Sequence, residues 1–130
     1  MILAYWFVLA AAILPYLLIL YAKATKEFRD SDYNKNPREY EEERLSGARK
    51  RAHWAHLNGF EAFPPFAAGV IIARASGASV STINLIAGIF IACRVIHGIL
   101  YIADLDKLRS LVWFGGLASM IALYVVAGTA

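Results

Sequence analysis

The stretch INLIAGIFIACRVIHGILYIA, residues 83–103, decides the fold of this chain. Its length and apolar character suit a membrane-spanning helix, which needs about 20 residues. Its second half nevertheless contains Arg94, His97 and Tyr101. These positions are spaced i, i+3 and i+7, so on a helix they lie on one face. A polar stripe on an otherwise apolar helix predicts a face that contacts protein or ligand instead of lipid.

The composition extends this interpretation to the whole chain. The 130 residues are 59% hydrophobic and 18% charged, which is more apolar surface than a soluble domain of this size could bury. Most charges fall between Lys23 and Arg51, a segregation that is typical of a polytopic membrane protein. The net charge of +3 arises mostly in that loop and does not indicate nucleic-acid binding.

The cysteine and histidine content predicts no metal site. The single cysteine, Cys93, excludes an intrachain disulfide and leaves no ligand cluster for zinc or iron–sulfur. His53 and His56 are spaced i, i+3, but no carboxylate joins them on their helix face. We expect these two histidines to make hydrogen bonds between helices.

Four apolar segments predict an all-α bundle of four transmembrane helices within a single membrane domain, residues 1–130. The predicted helices cover about residues 2–22, 52–73, 80–103 and 111–127, with a loop at 23–51. The first segment does not resemble a cleaved signal peptide, because no basic residue precedes it and its apolar run is too long. Within the loop, Asn36 as N-cap and Pro37 as first helical residue predict a short helix that ends near Leu45.

The basic residues predict the orientation of the bundle. Nine lysines and arginines lie between Lys23 and Arg51, and Lys107 and Arg109 lie in the short loop after the third segment. The opposite side has only Arg74. By the positive-inside rule, both loops lie in the cytoplasm and both termini lie on the non-cytoplasmic side.

The second segment has a polar face that matches the stripe on the third. Arg51, Asn58 and Glu61 lie within about 80° of one another on a helix that turns 100° per residue. At 1.5 Å per residue, Glu61 and Arg94 both lie about 14 Å from the cytoplasmic end. A charge at mid-membrane costs roughly 2.5–3.5 kcal/mol. The sequence therefore predicts that these two charges pair or share a charged ligand. A purely structural contact between the two helices is the alternative.

These residues together resemble a known family. The pattern R-x4-H-x-N-x2-E followed by P-F begins at Arg51, and R-x2-H-x3-Y begins at Arg94. The pair Arg109-Ser110 precedes the last segment. In combination these motifs resemble the MAPEG superfamily, the membrane-associated proteins in eicosanoid and glutathione metabolism. The likeness covers nearly the whole chain and is greatest to bacterial-type members similar to microsomal glutathione transferases.

The resemblance implies a homotrimer in the bilayer of a bacterial inner membrane, with glutathione bound between subunits near the cytoplasmic face. Members of the superfamily conjugate glutathione to lipophilic electrophiles, or reduce or isomerise lipid peroxides. By motif position, the expected glutathione-binding residues are Arg51, Asn58, Glu61, Arg94, His97 and Tyr101. The expected catalytic residues, which stabilise the thiolate, are Arg109, Ser110 and Tyr101.

The sequence departs from the pattern of glutathione-using members in two places. Trp54 and Ala55 stand where an arginine is common, and Gly59 stands where an aspartate commonly follows the asparagine. A non-catalytic lipid-binding membrane protein on the same scaffold is therefore the alternative function. A small channel or transporter is a third, which is less favoured because no polar stripe crosses the whole bilayer.

Overall fold

The structure, a computed structural model, describes all 130 residues and contains six helices and no strand. The helices are α1 (Leu3–Lys23), α2 (Lys26–Arg29), α3 (Pro37–Glu43), α4 (Gly47–Ala75), α5 (Val80–Ile102) and α6 (Asp106–Gly128). Three of them, α1, α5 and α6, are long and apolar enough to cross a membrane. The prediction of an all-helical membrane protein is therefore confirmed.

The four long helices pack side by side, with α4 against α1, α5 and α6. The hydrophobic core lies toward the end of the bundle where α1 begins and α6 ends. Phe66 of α4 stacks on Phe90 of α5 there, with 3.9 Å between ring centroids. The other end, where α1 and α5 end and α4 and α6 begin, is called the loop end below. The polar residues of α4 and α5 lie toward it.

Helix α4 has 29 residues and begins at Gly47, five residues before the start at residue 52 that its apolar content predicts. These five residues read GARKR. The last four form a helix readily but carry three charges, so hydropathy places the segment outside the span. The predicted loop, residues 23–51, thus contains α2, α3 and the start of α4. The short helix predicted at Pro37 is present, although the Asn36 side chain makes no capping hydrogen bond.

Asn84, a polar residue in the apolar half of α5, completes the start of another helix. Its side-chain Oδ1 accepts a hydrogen bond from the backbone N–H of Ala4, at 2.9 Å. The first N–H groups of a helix have no partner within the helix, and Ile2, the N-cap of α1, supplies none. The amide of Asn84 therefore satisfies a donor that lipid could not.

Glu41 fastens α3 to the loop end of the bundle. Its carboxylate lies 2.6 Å from Nζ of Lys23, at the end of α1, and accepts a hydrogen bond from the Tyr33 hydroxyl. Its other oxygen lies 3.7 Å from Nδ1 of His53 on α4. Burial would raise the pKa of the Glu41 carboxyl, but the hydrogen bond and charge of Lys23 outweigh this and lower the pKa below its usual value.

Replacing Glu41 by glutamine should loosen α3, because the half-buried Lys23 ammonium loses its anionic partner. We expect the free energy of unfolding to fall by about 1.5–3 kcal/mol, the range for hydrogen bonds to charged groups. Because the folded-state pKa is lowered, this stability is present above the ordinary value of 4.5 and is lost as pH falls through the folded-state value. Limited proteolysis of the 23–46 segment and thermal unfolding in detergent, as functions of pH, measure both effects.

The matched control is Glu42→Gln, at an exposed position on the same helix. It should leave proteolysis and unfolding unchanged. Equal effects of the two substitutions would show that the Glu41 carboxylate does not hold α3.

Candidate functional site

Helix α4 has two polar faces with different neighbours. His53, His56 and Gly59 are buried, and the Nδ1 of His56 lies 2.6 Å from the carbonyl oxygen of Pro15 in α1. This contact is the interhelical hydrogen bond expected for His56. A Cβ atom at Gly59 would lie 2.8 Å from Cγ of Pro15, so an aspartate could not occupy this position without moving α1. The glycine is explained by the close approach of two helices.

The opposite face of α4 presents Asn58 and Glu61 to α5. Nη2 of Arg94 donates a hydrogen bond of 2.7 Å to Oδ1 of Asn58. The amide Nδ2 of Asn58 in turn lies 3.4 Å from Oε2 of Glu61. No direct ion pair forms between Glu61 and Arg94, because the amide of Asn58 lies between them and contacts both. Of the two arrangements predicted from the sequence, a shared charged ligand is the one that this geometry leaves.

The hydrogen bonds through Asn58 leave unused donors on Arg94 and unused acceptors on Glu61. Arg94 is only 6% exposed, and its guanidinium has five N–H donors but one side-chain acceptor within the chain. Glu61 is exposed, and its carboxylate has one long contact. An unpaired buried guanidinium is costly. The site is therefore chemically suited to a ligand that offers an anion to Arg94 and a cation to Glu61.

Two adjoining cavities lie beside Arg94, Asn58 and Glu61, between α4, α5 and α6. The first, of about 160 Å³, is lined by Asn58, Glu61, Ala62, Pro65, Phe90, Arg94, Trp113, Gly116, Leu117 and Met120. The second, of about 370 Å³ and nearer the loop end, is lined by Asn58, His97, Tyr101, Arg109, Ser110, Trp113 and Phe114. Asn58 and Trp113 line both. All the predicted site residues except Arg51 line one cavity or the other.

In the second cavity, Tyr101 contacts two other predicted site residues. The guanidinium carbon of Arg109 lies 4.3 Å from the centroid of the Tyr101 ring, a cation–π contact. The His97 ring meets Tyr101 edge to face at 5.5 Å. Arg109 forms no salt bridge, so its charge is available to an anion in the cavity.

Arg51 lies outside both cavities. Its Nε and Nη2 donate hydrogen bonds of 3.1 and 2.9 Å to the carbonyl oxygen of Ile102. Carbonyls in the last turn of a helix lack a partner within the helix, and a nearby cation favours that end. Arg51 therefore holds the C-terminal end of α5 against α4.

The sequence-based prediction missed the contribution of α6 to the deeper cavity. Trp113, Gly116 and Met120 lie at i+3, i+6 and i+10 from Ser110, along the side of α6 that faces α4 and α5. This helical spacing was present in the sequence. It was not informative because every residue between them is also apolar or small, so no contrast marked the face.

Comparison with known proteins adds the family. The family model described as MAPEG family matches residues 3–129, nearly the whole chain. No curated protein and no solved structure matches the chain.

Double-mutant cycles should distinguish hydrogen bonds that run from Arg94 through Asn58 to Glu61 from a direct ion pair between Glu61 and Arg94. Asn58→Ala removes the sole side-chain acceptor of the buried Arg94 guanidinium, and the cost should be about 1–3 kcal/mol. We expect strong coupling between Asn58→Ala and Arg94→Gln, and coupling below about 0.5 kcal/mol between Glu61→Gln and Arg94→Gln. Thermal unfolding of the purified protein in detergent measures these energies. Stronger coupling for the Glu61 pair would restore the ion pair in place of these hydrogen bonds.

Proposed function

The chain belongs to the MAPEG family of membrane proteins in glutathione and eicosanoid metabolism, and from this we propose that it is a glutathione transferase or peroxidase that acts on lipophilic electrophiles or lipid hydroperoxides. The observation that carries the proposal is the pair of adjoining cavities with Arg94 and Glu61 beside one and Arg109 beside the other. One set of groups suits the ends of a zwitterionic peptide, and the other suits a thiolate.

In this proposal α4 is the fourth transmembrane helix. It packs between α1, α5 and α6, which are themselves apolar enough to span. Its buried polar side chains, such as His53 and His56, face other helices and do not oppose insertion, whereas the exposed Glu61 needs cover from a neighbouring subunit. The excess of lysine and arginine at the loop end places that end in the cytoplasm and both termini on the other side. The cavities then open near the cytoplasmic face.

Glutathione carries two carboxylates, one ammonium and one thiol. The Arg94 guanidinium can bind a carboxylate through two parallel hydrogen bonds, and the Glu61 carboxylate suits the ammonium. Asn58 and His97 supply polar contacts between them. Nδ1 of His97 is buried without a hydrogen-bond partner in the subunit, so a ligand group can fill that gap. Arg51 supports the site by holding the end of α5.

Arg109, Ser110 and Tyr101 form the proposed thiolate site. A thiol with a pKa near 8.5 is mostly protonated at neutral pH. A guanidinium beside the sulfur favours the thiolate, which is the nucleophile. The Ser110 and Tyr101 hydroxyls can donate hydrogen bonds to it. The lipophilic substrate enters sideways from the bilayer along the apolar wall of the first cavity.

We further propose that the functional unit is a homotrimer. Glu61 is exposed in the single subunit although it lies well inside a helix packed among membrane spans. A carboxylate in that position is costly if lipid covers it. A neighbouring subunit that covers the α4–α5 face would shield Glu61 and close the cavities, so the ligand would lie between subunits.

The lining of the first cavity favours a second candidate, a non-catalytic lipid-binding protein. Phe90, Trp113, Leu117 and Met120 give it a largely apolar wall. A fatty-acid carboxylate on Arg94 would suit the same geometry. Calorimetric titration of the purified protein with glutathione, followed by a conjugation assay, separates the two. Saturable glutathione binding with turnover supports the transferase, whereas binding of fatty acids alone supports the lipid-binding protein.

Arg109→Ala should reduce chemistry more than binding, because Arg94 and Glu61 anchor the ligand elsewhere. We expect kcat to fall by about 10²-fold or more, comparable to the loss of one stabilising donor, with glutathione affinity changed by less than about threefold. The thiolate pKa, followed by ultraviolet difference absorbance, should rise toward about 8.5.

Lys107→Ala is the matched control, since Lys107 is an exposed cation two residues away that lines neither cavity. It should leave kcat and the thiolate pKa unchanged. Equal effects of both substitutions would assign to Arg109 only a general contribution of positive charge.

Native mass spectrometry in mild detergent should give a trimer. Glu61→Gln removes the charge that the neighbouring subunit is proposed to shield, so the trimer should persist in that variant. A monomer that binds glutathione with full affinity would contradict a site between subunits.

A further inference from the structure

Trp54 lies beside the proposed thiolate site without a role in it. It is one helical turn before Asn58 on α4, on the same helix face, and its side chain is 45% exposed. The Trp54 and Tyr101 ring centroids are 6.5 Å apart. Arg109 lies 4.3 Å from the same Tyr101 ring. Trp54 and the cation that would hold the thiolate are therefore neighbours of one tyrosine.

The indole of Trp54 is held in position from one side. Nζ of Lys50 lies 5.9 Å from its ring centroid. That ammonium is fixed by hydrogen bonds to the backbone oxygens of Glu41 and Glu42, at 2.7 and 2.5 Å. The exposed remainder of the indole is free to take a planar partner. Indole has the strongest π-face of the protein side chains, which favours contact with electron-poor groups.

We infer that Trp54 determines specificity for the second substrate, favouring electron-poor planar rings over linear alkyl electrophiles. This inference rests on the proposed thiol transfer. A ring stacked on Trp54 would lie beside Tyr101, whose ring also contacts Arg109, the proposed partner of the sulfur. The sulfur forms a bond to that carbon, the carbon–halogen bond breaks, and the halide leaves with its electron pair. The thiol proton is released to solvent when the thiolate forms.

An interfacial anchor is the other role that a tryptophan near a helix end performs. Such an anchor contributes to depth and stability in the bilayer but does not discriminate between substrates. A role in substrate specificity would therefore change the ratio of the rates with aromatic and linear substrates, and a role as an anchor would not. The two roles need not differ in expression or unfolding temperature.

The test compares Trp54→Leu with the wild-type protein in liposomes, with glutathione as the thiol. The substrates are 1-chloro-2,4-dinitrobenzene, an electron-poor ring, and trans-2-nonenal, a linear electrophile. We expect KM for the ring to rise about three- to tenfold, the range for an aromatic pair, while KM for the linear substrate stays constant. Trp6→Leu, at a tryptophan that is 55% exposed at the opposite end of the bundle, should change neither. A parallel change for both substrates in Trp54→Leu, or no change, would overturn the inference.

A binding measurement keeps this inference separate from the proposed chemistry. In a Trp6→Phe, Trp113→Phe background, Trp54 is the sole remaining tryptophan. 1,3-Dinitrobenzene, which has no leaving group, should quench its fluorescence in a saturable manner. Saturable quenching in this background, with no turnover of 1-chloro-2,4-dinitrobenzene by the wild-type protein, would support the aromatic site and remove the transferase. Turnover with quenching that rises only linearly with concentration would support the transferase and remove the role of Trp54.

Discussion

The arrangement of the bundle depends on how one buried cation, Arg94, is accommodated in an apolar helix. A guanidinium in that setting needs acceptors, because neither lipid nor aliphatic side chains can replace its hydration. Asn58 supplies one acceptor at 2.7 Å, and this hydrogen bond determines which face of α4 packs against α5. Glu61, the second cavity and the exposed indole of Trp54 then fall on the same side of α4. The opposite face of α4 is left to pack against α1 through Gly59.

One face of α4 packs against α1 and contributes to stability, and the opposite face lines the proposed site. Toward α1, small and buried groups allow close approach, with His56 bonded to the Pro15 carbonyl. Toward α5 and α6, side chains diverge and leave the two cavities. Glu41 and Lys50 add a third constraint, because they tie α3 to the start of α4 beside Trp54. The loop segment is thereby coupled to the mouth of the proposed site, although it lies far along the chain from Arg109.

The sequence was sufficient for the long helices, for the matched polar faces and for the family. Apolar length and helical spacing determine those features locally. It was not sufficient for the start of α4, whose charged first turn is helical but not apolar. Of the two arrangements predicted for Glu61 and Arg94, the direct ion pair is absent, because equal depth does not reveal an intervening amide. The anchoring of Arg51 on Ile102, the link from Glu41 to Lys23 and the lining of the cavity by α6 depend on side-chain directions and on contacts between distant segments, which spacing alone does not encode.

The most direct measurement is an experimental structure of the protein in lipid nanodiscs with glutathione. The proposed function predicts a trimer with ligand density between subunits, one carboxylate on Arg94, the ammonium on Glu61 and the sulfur beside Arg109. Density for an acyl chain along Phe90 and Met120, with no glutathione at saturating concentration, would contradict it and would favour the lipid-binding protein.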